Sequence, residues 1–241
     1  MSGDSSAKTP AVAPVPTRIR TWGIVGAVGL GGLAFVVPQL ALSAISPWLL
    51  QVLPFSQNVQ NFVFMIMLEA VTVLAVAMLV HAYGQTMRDI GINKWQWRFI
   101  GWALAGLVVY FALSVAISMV ASIFWKIDFN EAQDVGFASP AGLELIWVFL
   151  GLVILPPLAE EVLFRGFIFK GIRSRLSFVP TALIVSLLFA LAHGQLNVGL
   201  DVFALSLVLC YLREKSNSLW PGILLHALKN AVAFFALFVY T

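Results

Sequence analysis

The sequence predicts an all-α fold: a polytopic membrane bundle of about seven transmembrane helices, within a range of six to eight. Three observations lead there. Of the 241 residues, 61% are hydrophobic and only 10% charged, far from the globular norm of about a quarter charged. Apolar runs of about 20 residues recur along the chain, each long enough to cross a ~30 Å hydrocarbon core as a helix. The runs are also uninterrupted, whereas a membrane barrel, the only other structure lipid tolerates, needs apolar and polar residues to alternate.

Residues 1–17 are rich in Ser, Ala and Pro without apolar periodicity and read as a disordered tail. Residues 18–241 form one membrane-embedded domain. Its first span runs from Trp22 to about Ile45, behind Arg18 and Arg20. Ala41-Leu42-Ser43 resembles a signal cleavage site, but the run exceeds the roughly 7–15 residues of a signal core, so an uncleaved span is expected. Gly23, Gly26, Gly29, Gly31 and Gly32 in this span suit close helix packing, since no strand precedes them as a nucleotide loop would require. Further spans are expected over 59–83, 99–125, 142–172, 178–194, 198–212 and 218–240. The fourth is over-long and carries Pro156-Pro157, so it should be kinked or broken in two. The sixth is short, and its start is the least defined.

The net charge is +3. The basic residues explain it as loop residues beside spans, not as a nucleic-acid surface. Arg88, Lys94 and Arg98 lie in the second loop, Lys170, Arg173 and Arg175 in the fourth, and Arg213 and Lys215 in the sixth. With Lys8, Arg18 and Arg20 in the tail and only Lys126 in the intervening loops, the positive-inside rule puts the N-terminus in the cytoplasm and Thr241 outside. The short chain and minimal loops suggest a bacterial inner or plasma membrane, with lipid as surroundings and no nucleic acid as partner. The single Cys210 excludes an intrachain disulfide.

Three motifs place ionisable groups inside otherwise apolar helices, where each costs several kcal/mol unless it has a function or a partner. They are Glu160-Glu161-Val162-Leu163-Phe164-Arg165, Phe189-Ala190-Leu191-Ala192-His193 and His226-Ala227-Leu228-Lys229-Asn230. At ~1.5 Å rise per residue, Glu160 lies roughly 20 Å from Arg173, His193 roughly 22 Å from Phe178, and His226 and Asn230 roughly 12 and 18 Å from Ser218. Three helices thus bring polar groups to similar depth. Glu161 and Arg165, four apart, share a helix face and suit a buried ion pair. Glu160 points about 100° away and is free to face a cavity. This split assigns Glu161 and Arg165 to structure and Glu160 to proton transfer. Gly194 after His193 marks a helix end. His226 and Asn230 form one face with two hydrogen-bond donors suited to an oxyanion.

These residues resemble the signature of the CPBP intramembrane proteases, which include the type II CAAX prenyl endopeptidases and the bacteriocin-processing or Abi proteins. That signature is Glu-Glu-x-x-x-Arg, then Phe-x-x-x-His, then His-x-x-x-Asn, and the resemblance covers residues 140–240. It implies an endopeptidase acting on a peptide or protein substrate, with Glu160 and His193 activating water. It further implies that His226 and Asn230 line the oxyanion site and that Glu161 and Arg165 hold the first motif in place.

No cofactor is favoured. Zinc is the alternative, with Glu160, His193 and His226 as ligands, but the sequence has no His-Glu-x-x-His element. The competing functional class is a non-catalytic membrane protein: a transporter, or an immunity or scaffold protein that binds a peptide. A transporter would more often show internal repeats or paired broken helices. Outside the motifs, Glu69 reads as a bundle-facing hydrogen-bond partner and His81 as solvated near a helix end. Asp201 lies at the level of the site. Lys229 points away from the face of Asn230 and is free to pair with a carboxylate elsewhere. Trp95, Trp97 and Trp102 suit the interfacial aromatic belt.

Overall fold

A computed structural model describes residues 21–240 apart from 53, 130, 132 and 134. The expected disordered tail, Lys8, Arg18, Arg20 and Thr241 lie outside the described residues. Among the described residues the protein is all-α, with seven helices and no strand. They are α1 (Gly23–Val52), α2 (Gln57–Ala82), α3 (Arg98–Phe124), α4 (Glu144–Arg173), α5 (Phe178–Ala192), α6 (Leu196–Ser216) and α7 (Trp220–Phe238). Six are long and apolar enough to cross a membrane, and α5 is a shorter apolar helix. Their outer faces carry exposed Leu33 and Leu40 on α1, Leu104, Val108 and Val115 on α3, and Leu183, Leu187 and Leu191 on α5. Apolar residues recurring every turn on an outward face are what a lipid-facing helix presents. The protein is an integral membrane protein.

Helix α4 is the centre of the bundle, packed against α1, α2, α5, α6 and α7. The two prolines do not break it into pieces. The helix is continuous, with π-helical stretches at Leu150–Ile154 and Glu161–Ile168 on either side of the Pro156-Pro157 turn. A π turn widens the backbone and relieves the clash of a proline ring with the preceding turn. Every residue from Glu161 to Ile168 is buried. This segment carries the first motif from Glu161 onward and anchors a core that includes Trp22, Phe167, Phe189 and Leu219.

Close approach of α1 to α4 depends on two glycines. A Cβ on Gly31 would lie 2.7 Å from Cγ1 of Ile168, and one on Gly171 would lie 2.3 Å from Nε1 of Trp22. In the space so made, the Trp22 indole stacks on Phe167 at 4.3 Å and donates to the Phe167 carbonyl at 3.0 Å. Of the five glycines of α1 expected to serve packing, Gly29 and Gly32 face open space instead.

The basic loops meet at one end of the bundle. Arg213 donates to the carbonyls of Ile90 and Arg165, Trp220 donates to the Asn93 carbonyl, and Arg173 pairs with Glu214 at 3.0 Å. Gly23 at the start of α1 lies beside Arg175 at the same end. Helix α6 runs from Leu196 to Ser216, beyond the expected 198–212 at both ends. Its last turn carries Arg213, Glu214 and Lys215 out of the apolar layer, so hydropathy ended it too early. Asn217 closes it in the left-handed conformation, at φ 51°.

Candidate active site

All four residues singled out for chemistry line one cavity of about 420 Å³. Helix α4 contributes Glu160, α5 and its end His193, and α7 His226 and Asn230; α1 and α2 form the facing wall through Phe35, Gln39, Met65, Glu69 and Thr72. The matched depths read from the sequence therefore correspond to a shared cavity.

Behind the cavity, Nη1 of Arg165 holds Oε1 of Glu161 at 2.8 Å, with the two side chains 0% and 1% exposed. The ion pair expected from the four-residue spacing is present. A buried charge without such a partner is strongly destabilising. The guanidinium also lies over the Phe189 ring, 4.4 Å from its centroid, a cation–π contact that is stronger where water is excluded. The Phe189 ring in turn meets His193 and His226 edge-on, at 4.9 and 5.8 Å. One phenyl ring therefore packs against three of the polar side chains.

The same Glu161 oxygen lies 3.3 Å from Nδ1 of His226. A carboxylate only accepts, so Nδ1 carries the proton and Nε2 is left facing Oε2 of Glu160 at 3.7 Å. Glu161 thus fixes both the tautomer and the ring orientation of His226, as the carboxylate of a catalytic triad does for its histidine. His193 is fixed similarly. Its Nδ1 meets the Phe189 carbonyl at 2.9 Å, which leaves Nε2 as the acceptor. His193 caps α5, and Gly194 follows at φ 68°, so the helix ends where the imidazole lines the cavity.

Asn230 is held by the double proline. In an α turn the Leu152 carbonyl would accept from residue 156, and in a π turn from residue 157; both are prolines and have no N–H. The orphaned carbonyl accepts from Nδ2 of Asn230 at 2.9 Å. This fixes the amide plane and leaves its second N–H uncommitted.

One residue, Glu69, plays a different part from the one the sequence suggested. Glu69 faces the bundle as expected but is not a hydrogen-bond partner there. It lines the cavity, and among the described residues its carboxyl makes no hydrogen bond or ion pair. The available signal was a carboxyl near the middle of an otherwise apolar span. Lys229 pairs with a carboxylate as expected, its Nζ 3.4 Å from Asp201, and it also lines the cavity although it follows a different face from Asn230. Asp201 further accepts from Tyr110 at 2.7 Å and Ser114 at 2.6 Å, which ties α3, α6 and α7 together beside the site.

Zinc fit can be judged from the side chains. Among the described residues no group of three His, Cys, Asp or Glu side chains is gathered as a metal site. The alternative ligands Glu160, His193 and His226 share the cavity but do not converge as a ligand set.

Comparison with known proteins gives a consistent picture. Residues 142–232 match the family model described as "Type II CAAX prenyl endopeptidase Rce1-like", over the segment that holds all three motifs. The resemblance read from those motifs is borne out. The chain is 38% identical over 95 residues to an "Uncharacterized 24.3 kDa protein" of Escherichia coli, covering 37% of this chain and 44% of that protein. It is 25% identical over 130 residues to "Putative membrane peptidase YdiL" of Bacillus subtilis (strain 168), covering 54% and 52%. It is 28% identical over 141 residues to "UPF0177 protein YxdF" of Lactococcus lactis, covering 58% and 77%. The matches thus span about half the length of the first two relatives. No solved structure matches at the same stringency.

Proposed function

We propose that this protein is an intramembrane endopeptidase of the CPBP or CAAX-protease type, hydrolysing a peptide bond with a water activated by Glu160. The observation that carries the reading is the gathering of Glu160, His193, His226 and Asn230 around one cavity inside a membrane bundle. The match of residues 142–232 to an endopeptidase family supports it, as does the resemblance to a relative named a membrane peptidase.

In this reading Glu160 takes a proton from water as the water attacks the scissile carbonyl, then passes it to the leaving amine. The free Nε2 of His193 accepts from the same water and orients it. The tetrahedral oxyanion lies against the second N–H of Asn230, a donor pre-oriented by Leu152. His226 joins as a second donor only in its imidazolium form, because its one neutral proton is committed to Glu161. Glu161 and Arg165 hold the arrangement without touching substrate. In this reading the N-terminus is cytoplasmic and the protein sits in a bacterial inner membrane; the gathering of the basic loops at one end supports the orientation.

The test is an unbiased comparison of peptides in membranes holding the parent protein and its Glu160→Ala variant. Cleavage products that appear only with the parent support the reading. Identical peptide profiles would favour a transporter or a peptide-binding scaffold.

A further inference from the structure

Opposite the proposed catalytic side chains, the α1–α2 wall of the cavity carries three polar groups that nothing in the bundle uses. Gln39, Glu69 and Thr72 all line the cavity, and among the described residues none of their side chains makes a hydrogen bond or ion pair. Thr72 is only 5% exposed. Thr72 is buried and Gln39 and Glu69 are half-buried, and buried polar groups are almost always partnered, so this wall can take its partner from whatever enters the cavity. Glu69 and Thr72 are three residues apart on α2 and share a face with Met65 and Leu68, which also line the cavity.

The charges around the cavity decide what that partner is. Among the described residues three fixed charged side chains line it: Glu69, Glu160 and Lys229. Lys229 is already matched by Asp201. Glu160 faces Nε2 of His226. Arg165, the cation behind the cavity, is matched by Glu161. Glu160 and Glu69 are thus the two lining carboxyls without a cation among the described residues, since Nε2 of His226 carries no proton, and of the two only Glu69 is left unused by the proposed chemistry. A carboxyl within a membrane span is costly without a counter-charge. The missing complement is a cation.

We propose that Glu69 is a specificity residue that binds a basic group of the substrate peptide, a lysine or arginine side chain or a free amino terminus, with Gln39 and Thr72 bonding the adjoining peptide backbone. The inference rests on the endopeptidase reading and names the substrate class for the same site. A cavity of about 420 Å³ is at the small end of the range for binding sites. The basic group therefore lies within a residue or two of the bond that is cut. The aliphatic stem of a lysine would run along Met65 and Leu68 while its ammonium reached the carboxylate.

The test uses peptide pairs that carry lysine or its uncharged near-isostere norleucine at each position in turn. Binding and cleavage are both measured, with the full-length parent, Glu69→Gln and Glu69→Asp in lipid nanodiscs, after thermal unfolding has established that each is folded. At one position the parent should favour lysine by about 10–100-fold, the range for a charge-assisted hydrogen bond. Glu69→Gln should bring the two peptides to within about threefold, well short of that charge-assisted range, and Glu69→Asp should keep part of the preference. No position with a lysine preference in the parent, or a preference that survives in Glu69→Gln, would overturn the proposal. So would an equal loss of turnover on every peptide with an altered pH profile, because Glu69 would then be a proton-handling group. Binding is read whether or not cleavage occurs. A charge preference without hydrolysis would therefore sink the protease reading and leave the role of Glu69 standing; hydrolysis without the preference would do the reverse.

Discussion

The amide of Asn230 donates to the Leu152 carbonyl at 2.9 Å, and it does so because Pro156 and Pro157 leave that carbonyl without a backbone donor. The double proline of α4 is therefore part of the site. It turns a helical carbonyl into an anchor for a side chain on α7. Asn230→Asp should strand the carbonyl against a carboxyl and lower stability by about 1–3 kcal/mol. Chemical unfolding of the two proteins in detergent checks this. Equal stability would show that the bond carries no net energy.

Arg165 and Glu161 make the larger structural contribution. Removing one partner of a buried pair costs on the order of 3–5 kcal/mol. Arg165→Ala should consequently lower the thermal midpoint, or the yield of folded protein, well below that of Glu160→Gln. Glu160 has no cationic side chain bonded to it, and its substitution keeps the volume. Matching midpoints for the two variants would contradict the assignment of Arg165 to structure.

The membrane fold was nearly all legible in the sequence, because a bilayer leaves few alternatives to a helix once an apolar run is long enough. The four-residue spacing of Glu161 and Arg165 likewise translated directly into a contact. Other features were hidden for identifiable reasons. Helix α4 survives Pro156-Pro157 through π-helical turns, which leave no periodicity mark in the sequence. Helix α6 extends into a charged turn that hydropathy excludes. Glu69 was undervalued because its environment is made by α1 and by helices far along the chain, none of which its own span reveals. Lys229 and Asn230 are adjacent yet line the same cavity; side chains about 100° apart on one helix can both reach a cavity beside it, and helical angles alone suggested otherwise.

Metal dependence follows from the donor geometry. With Nδ1 of His226 committed to Glu161 and Asn230 already oriented, the reading needs no Lewis acid. Protein purified under chelation should keep its activity, and His226→Ala should slow turnover by roughly 10²–10³, the loss typical of one oxyanion donor. Elemental analysis checks the alternative. One zinc per active chain, lost in His193→Ala and His226→Ala, would contradict a glutamate mechanism and restore zinc as the source of the nucleophile.

The central claim is that Glu160 is the general base, and Glu160→Gln tests it most directly. The substitution keeps size and hydrogen-bonding capacity but removes the ability to take a proton. Parent and variant, each reconstituted in lipid and shown to be folded, would be compared by mass spectrometry on a peptide that the parent cuts. Turnover should fall by at least about 10²-fold, the lower end of the contribution of a general base, while the thermal midpoint stays near that of the parent. Cleavage by folded Glu160→Gln within about tenfold of the parent, less than a lost base should cost, would contradict the claim.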